Sequence, residues 1–162
     1  MKETILGMTG LDWAYLGAAF AAIGGGIGSS IGITSIANTA AGIVSEDSEK
    51  FGKLLPLAAM PGTQGIYGLV TMILVFVFTG IFAGTADLSA AEGLRVFYAC
   101  LPVTFLCLVS GIYQGLTAVG AAGMVARRDE DAGKALIFPA LVETYAVFSL
   151  VVTILMLLYV TG

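Results

Sequence analysis

Four apolar stretches, Trp13 to Val44, Leu54 to Gly84, Val96 to Ala126 and Ala135 to Val160, divide this chain, and short charged patches separate them. A helix of about 20 apolar residues crosses the ~30 Å hydrocarbon slab of a bilayer, and the first three stretches have length to spare for tilt or protrusion. Lipid offers no hydrogen bonds, so each stretch must satisfy its backbone internally. That predicts an all-α membrane protein with four transmembrane helices. Composition agrees: 58% of the 162 residues are hydrophobic and 11% charged, and the mean hydropathy of +0.98 lies far from soluble domains. Trp13, Tyr15, Tyr98 and Tyr159 stand near span ends, as expected of interfacial aromatics. Met1 to Leu11 carries Lys2 and Glu3 but no apolar core of a removable signal, so the first helix is expected to stay.

Several function classes fall away. The formal charge of −4 is dispersed, and no basic patch exists to grip phosphates, which sets nucleic-acid binding aside. Cys100 and Cys107 are seven residues apart on nearly one helix face, ~10 Å apart along the axis, too far to bridge. Without any histidine they are read as small packing groups rather than metal ligands. Gly24, Gly25, Gly26, Gly28 and Gly32 lie in a membrane helix with no Gly-Lys-Ser/Thr ending, so close helix packing is expected, not a phosphate loop.

The chain is one hairpin written twice. A shift of 81 residues lays Ser29-Ser30-Ile31 on Ser110-Gly111-Ile112, Gly42 on Gly123, Gly52-Lys53 on Gly133-Lys134, and Val70 with Ile73-Leu74 on Val151 with Ile154-Leu155. Residues 1–84 and 85–162 then form two helical hairpins, each with one charged turn, Ser45 to Lys53 and Arg127 to Lys134. These turns hold five of the seven Lys and Arg residues. By the positive-inside bias they face the cytoplasm, which leaves both termini and the Gly84 to Arg95 loop outside.

The repeat fails at one informative place, where Gly62 stands opposite Glu143. Glu143 is the one ionisable side chain in its span other than Tyr145 and Tyr159, and eight residues from Ala135 put it roughly 12 Å deep. A bare carboxylate there costs several kcal/mol, so it must be protonated, paired or bound to a cation. The second span offers Thr63, Gln64 and Tyr67 on one helix face, and Pro61-Gly62 is expected to loosen the ladder and turn a main-chain carbonyl toward a ligand. The third span adds Gln114. Each polar group alone could simply bond a neighbouring helix. Together they form an oxygen-rich set of the kind a hard cation prefers, which favours Na⁺ over H⁺.

These residues resemble the duplicated 16-kDa proteolipid (c or K subunit) of V-type and A/V-type rotary ATPases, especially the bacterial sodium-pumping branch. The resemblance covers nearly the whole chain. It rests on the fused hairpins, the Gly-rich first helix, Pro61-Gly62-Thr63-Gln64-Gly65, Gln114, and Pro139-Ala140-Leu141-Val142-Glu143-Thr144-Tyr145. It implies Na⁺ held by Glu143, Gln114, Thr63, Gln64 and the Met60 main-chain carbonyl, with Tyr67 locking the site by a hydrogen bond to the glutamate. It further implies a non-catalytic component that joins identical copies in a membrane rotor ring, with ATP split elsewhere. A stator subunit would supply an arginine, since Arg95, Arg127 and Arg128 all lie at span ends, and a central-stalk subunit would sit on the cytoplasmic loops.

Three alternatives stay open from the residues: the same rotor role with H⁺ as the ion, a small proton-coupled multidrug exporter, and a structural channel or gap-junction-like pore. A lone intramembrane acid suits the first two, and only four helices and oligomerisation support the third. The amides around Glu143 and the Gly-rich helix count against the exporter.

Overall fold

The computed structural model describes residues 3–162; Met1 and Lys2, part of the segment read against a removable signal, lie outside the described residues. Four helical spans are long and apolar enough to cross a membrane: Gly10–Glu46, Ser48–Phe78, Ala90–Arg127 and Asp129–Thr161. The first is one helix, α1 (Gly10–Glu46). The second comprises α2 (Phe51–Ala59), a 3₁₀ turn (Met60–Gly62) and α3 (Thr63–Phe78). The third is α4 (Ala90–Arg127), and the fourth combines the short α5 (Ala132–Ala135) with α6 (Ile137–Thr161). No strand occurs among the described residues.

Helices α1 and α4 form the centre, α3 packs on α1, and α6 packs on α4. Glycine makes the central seam possible. A Cβ added at Gly28 would lie 2.5 Å from the Cys107 carbonyl oxygen, and one at Gly111 would lie 2.6 Å from the Gly28 carbonyl carbon. Gly32 likewise meets Gly115, and Gly10 meets Gly93. Each of these three pairs is separated by 83 residues, so α1 and α4 run parallel and in register. Small-residue surfaces of this kind let helix backbones approach closely in a membrane.

Both central helices begin before their apolar stretches, at capping boxes. The Thr9 hydroxyl accepts from the Asp12 N–H while the Asp12 carboxylate accepts from the Thr9 N–H, and Ser89 and Glu92 do the same for α4. The second span stops at Phe78, six residues short of the expected Gly84. Gly80 at φ +73° breaks the helix there, and a Cβ would strike the Thr85 hydroxyl at 2.7 Å.

The charged turns are tighter than expected, because helix reaches Glu46 and Arg127 and 3₁₀ turns fill Ser48–Lys50 and Asp129–Asp131. Lys50 donates to the Ala126 carbonyl at 2.6 Å, placing a cation on the C-terminal end of α4. Lys53 joins Asp129 at 2.7 Å, which ties the two turns together. That hydrogen bond holds the Asp129 carboxyl below its ordinary value.

Trp13 is buried and packs edge-on against Phe97 of α4, with centroids 5.5 Å apart. Tyr15, Tyr98 and Tyr159 are exposed. Cys100 and Cys107 are free and buried in the core between helices.

Candidate functional site at the α3–α4–α6 junction

The fourth span carries its carboxylate where three helices meet. Glu143 on α6 is half-buried, and its two oxygens face donors from different helices. The Tyr67 hydroxyl on α3 donates to Oε1 at 2.9 Å, and Gln114 Nε2 on α4 donates to Oε2 at 3.3 Å. All four ion pairs among the described residues lie in the charged turns, none at Glu143.

A buried amide relay stands behind the carboxylate. Gln114 is fully buried; its Nε2 also donates to the Pro139 carbonyl at 3.1 Å, and its Oε1 accepts from Gln64 Nε2 at 2.6 Å. Gln64, equally buried, donates from the same nitrogen to the Ser110 hydroxyl at 3.0 Å. Buried amides are stable only when such bonds are made.

The 3₁₀ turn Met60–Gly62 explains how α3 presents its first residues. Proline lacks an N–H, and the ladder tightens here so that the Thr63 N–H bonds the Met60 carbonyl. The Thr63 hydroxyl donates to that carbonyl at 3.0 Å and lies 3.4 Å from Gln64 Oε1. Met60 O, Thr63 Oγ1 and Gln64 Oε1 therefore form a chain of neighbouring oxygens on the start of α3. The structure thus links Glu143 directly to Tyr67 and Gln114, and Gln114 to Gln64, while Met60 and Thr63 join through Gln64.

Three contributors escaped the sequence reading: Ser110, the Pro139 carbonyl, and Ser29, whose hydroxyl accepts the Gly65 N–H at 2.7 Å. A signal for the serines did exist, since Ser29 and Ser110 are aligned by the 81-residue repeat. Four other hydroxyls of α1 behave as default packing groups: Ser30, Thr34, Ser35 and Thr39 each bond the carbonyl four residues back.

Comparison with known proteins agrees with this architecture. Residues 16–75 and again 97–156 match the family of the ATP synthase C subunit. The chain is 40% identical over 149 residues to the V-type sodium ATPase subunit K of Enterococcus hirae, covering 92% of each chain. It is also 40% identical over 148 residues to the A-type ATP synthase subunit K of Methanocaldococcus jannaschii, covering 91% of this chain and 64% of that protein. With the family matched twice along two tandem hairpins, the chain belongs to the ATP synthase C-subunit family, as a duplicated c/K-type proteolipid and non-catalytic membrane component of a rotary ATPase.

Proposed function

We propose that this protein carries Na⁺ at Glu143 in a rotor ring built from identical copies, coupling ion movement to ATP hydrolysis or synthesis in a soluble head. The observation that carries this reading is the convergence on one mid-span carboxylate of Tyr67 and Gln114, backed by Gln64. Glu143, Gln114, Gln64, Thr63 and the Met60 carbonyl can offer Na⁺ about five oxygens, enough to replace most of a hydration shell. Gln114 Oε1, which accepts from Gln64 Nε2 at 2.6 Å, keeps a second lone pair for the ion. Tyr67 then locks the carboxylate by its hydrogen bond.

Charge ties rotation to loading. A loaded, neutral Glu143 tolerates lipid, whereas an emptied carboxylate does not, so the ring turns past lipid only when loaded. The emptied carboxylate needs a cation from outside this chain, and a stator arginine fits that need. Residues 1–84 and 85–162 act as two hairpin units of which only the second kept the acid, giving one ion per four helices. In this reading the charged turns face the cytoplasm and a central-stalk subunit, and both termini face outside. The sodium ATPase relative supports Na⁺ as the cargo.

A ring carrying H⁺ is the second reading, because the Tyr67 and Gln114 bonds would suffice to hold a carboxyl group. Carbodiimide labelling of Glu143 with and without Na⁺ across a pH range separates the two. Sodium that slows labelling at neutral pH supports the proposal, and labelling that responds only to pH leaves a proton-carrying ring.

A further inference from the structure

Among the described residues, every other serine and threonine within α1 and α4 bonds a carbonyl of its own helix: Ser30, Thr34, Ser35, Thr39 and Ser45 in α1, Thr104 and Thr117 in α4. Ser29 and Ser110 alone reach across to α3. They are buried, at 7% and 4% exposure, and occupy the same place in the two halves of the repeat. What they grip is consecutive: Ser110 Oγ accepts from the Gln64 side-chain amide at 3.0 Å, and Ser29 Oγ accepts from the Gly65 N–H at 2.7 Å.

The Gly65 bond has a local cause. Because the 3₁₀ turn interrupts the second span, α3 begins anew at Thr63, and its cap residue is Gly62, which has no side chain to offer. The Gly65 N–H sits at the third position of the new helix, where a capping serine ordinarily bonds. Ser29 fills that role from a different helix. The Gln64 bond has a different consequence: Gln64 Nε2 is shared between Ser110 and Gln114, so Ser110 fixes the amide plane and holds Gln64 Oε1 beside Thr63.

We propose that Ser29 and Ser110 are a matched pair of positioning residues that set the affinity of the Glu143 site for its ion by fixing the start of α3 from both sides. The proposal rests on the Na⁺ reading given above. Neither serine is hydrogen-bonded to Glu143, so both act through Gln64 and the α3 backbone.

The test uses the assembled membrane complex, with wild type, Ser29→Ala, Ser110→Ala, Gln64→Ala and the double variant Ser110→Ala/Gln64→Ala. The readouts are the Na⁺ concentration that half-protects Glu143 from carbodiimide, and the pH profile of labelling without Na⁺. Losing one neutral hydrogen bond in this network should raise the half-protecting concentration about five-fold for each serine variant. The sodium-free pH profile should stay at its wild-type midpoint. In the Gln64→Ala background, Ser110→Ala should add nothing, the signature of a residue acting through Gln64. Ser29→Thr, which keeps the hydroxyl, should restore wild-type protection and covers the case in which Ser29→Ala fails to assemble. Unchanged protection in both serine variants, or additive losses in the double variant, would overturn the positioning role. Absence of Na⁺ protection in the wild type would instead remove the sodium reading, and the serine proposal with it.

Discussion

Tyr67 and Glu143 sit on different hairpins, yet the tyrosine hydroxyl donates to Glu143 Oε1 at 2.9 Å, so the fold of one chain closes its own site. Tyr67→Phe removes that donor while keeping the ring's bulk. The expected result is faster carbodiimide labelling of Glu143 and a roughly five-fold weaker hold on Na⁺, the equivalent of about 1 kcal/mol. Wild-type labelling rates in the phenylalanine variant would deny Tyr67 its locking role.

Glu143→Gln should leave a folded, assembled ring without ion transport. Glutamine is nearly isosteric, and its amide can keep a bond to Tyr67 or Gln114, but it carries no charge that could alternate. Intact mass in detergent reads the assembly, and sodium uptake into vesicles reads the transport. Pumping at wild-type rate would displace Glu143 as the carrier.

Gln114→Ala and Thr63→Ala should weaken Na⁺ binding and leave Glu143 able to take a proton, because protonation needs only the carboxyl itself. Gln114→Ala should cost more, since it also leaves Gln64 Nε2 and the Pro139 carbonyl short of a partner. The measurement is the sodium dependence of ATP hydrolysis by the complex at two pH values. Equal sodium dependence in wild type and both variants would take these residues out of the site.

Gly28→Ala tests the central seam. The added methyl would lie 2.5 Å from the Cys107 carbonyl oxygen, so α1 and α4 must separate, and overpacking of this sort costs about 1–3 kcal/mol. A lower melting temperature of the detergent-solubilised protein is expected. Gly42→Ala, inside α1 with nothing within 4 Å of its Cβ, is the control and should hold or raise the melting temperature.

The tie between the two charged turns carries its own pH dependence. Lys53 depresses the Asp129 carboxyl, so the stabilisation is present above the ordinary carboxylate value and is lost as pH falls through the lower folded-state value. Hydrogen exchange in residues 47–53 and 128–131, corrected for intrinsic rates, should therefore be flat from neutral pH down to about pH 5 and quicken in stronger acid. Asp129→Asn should show the quickened exchange at neutral pH. Identical exchange in that variant would leave the Lys53–Asp129 pair without a structural role.

Hydropathy made the four spans legible, and a displaced repeat made the hairpins legible, because both signals survive averaging over many residues. Helix ends were less accessible. Thr9 to Asp12 and Ser89 to Glu92 carry the spacing of a capping box, but they lie outside the apolar runs and extend the helices past them. At the site, side-chain chemistry pointed to Glu143, Gln114, Gln64, Thr63 and Tyr67, since polar groups stand out in an apolar setting. Ser29 and Ser110 did not stand out, because a serine in a membrane helix ordinarily bonds its own backbone. Only the packing of α3 across α1 and α4 distinguishes these two from Ser30.

The glycine seam closes a route that most packed interfaces leave open. When a core residue grows, a neighbour can shrink to make room, and so sequences drift in pairs. Where Gly28 faces Gly111, Gly32 faces Gly115 and Gly10 faces Gly93, both partners are already the smallest residue there is. A larger side chain on either side has no compensating change within reach, so these three pairs are expected to stand still while the surfaces around them diverge.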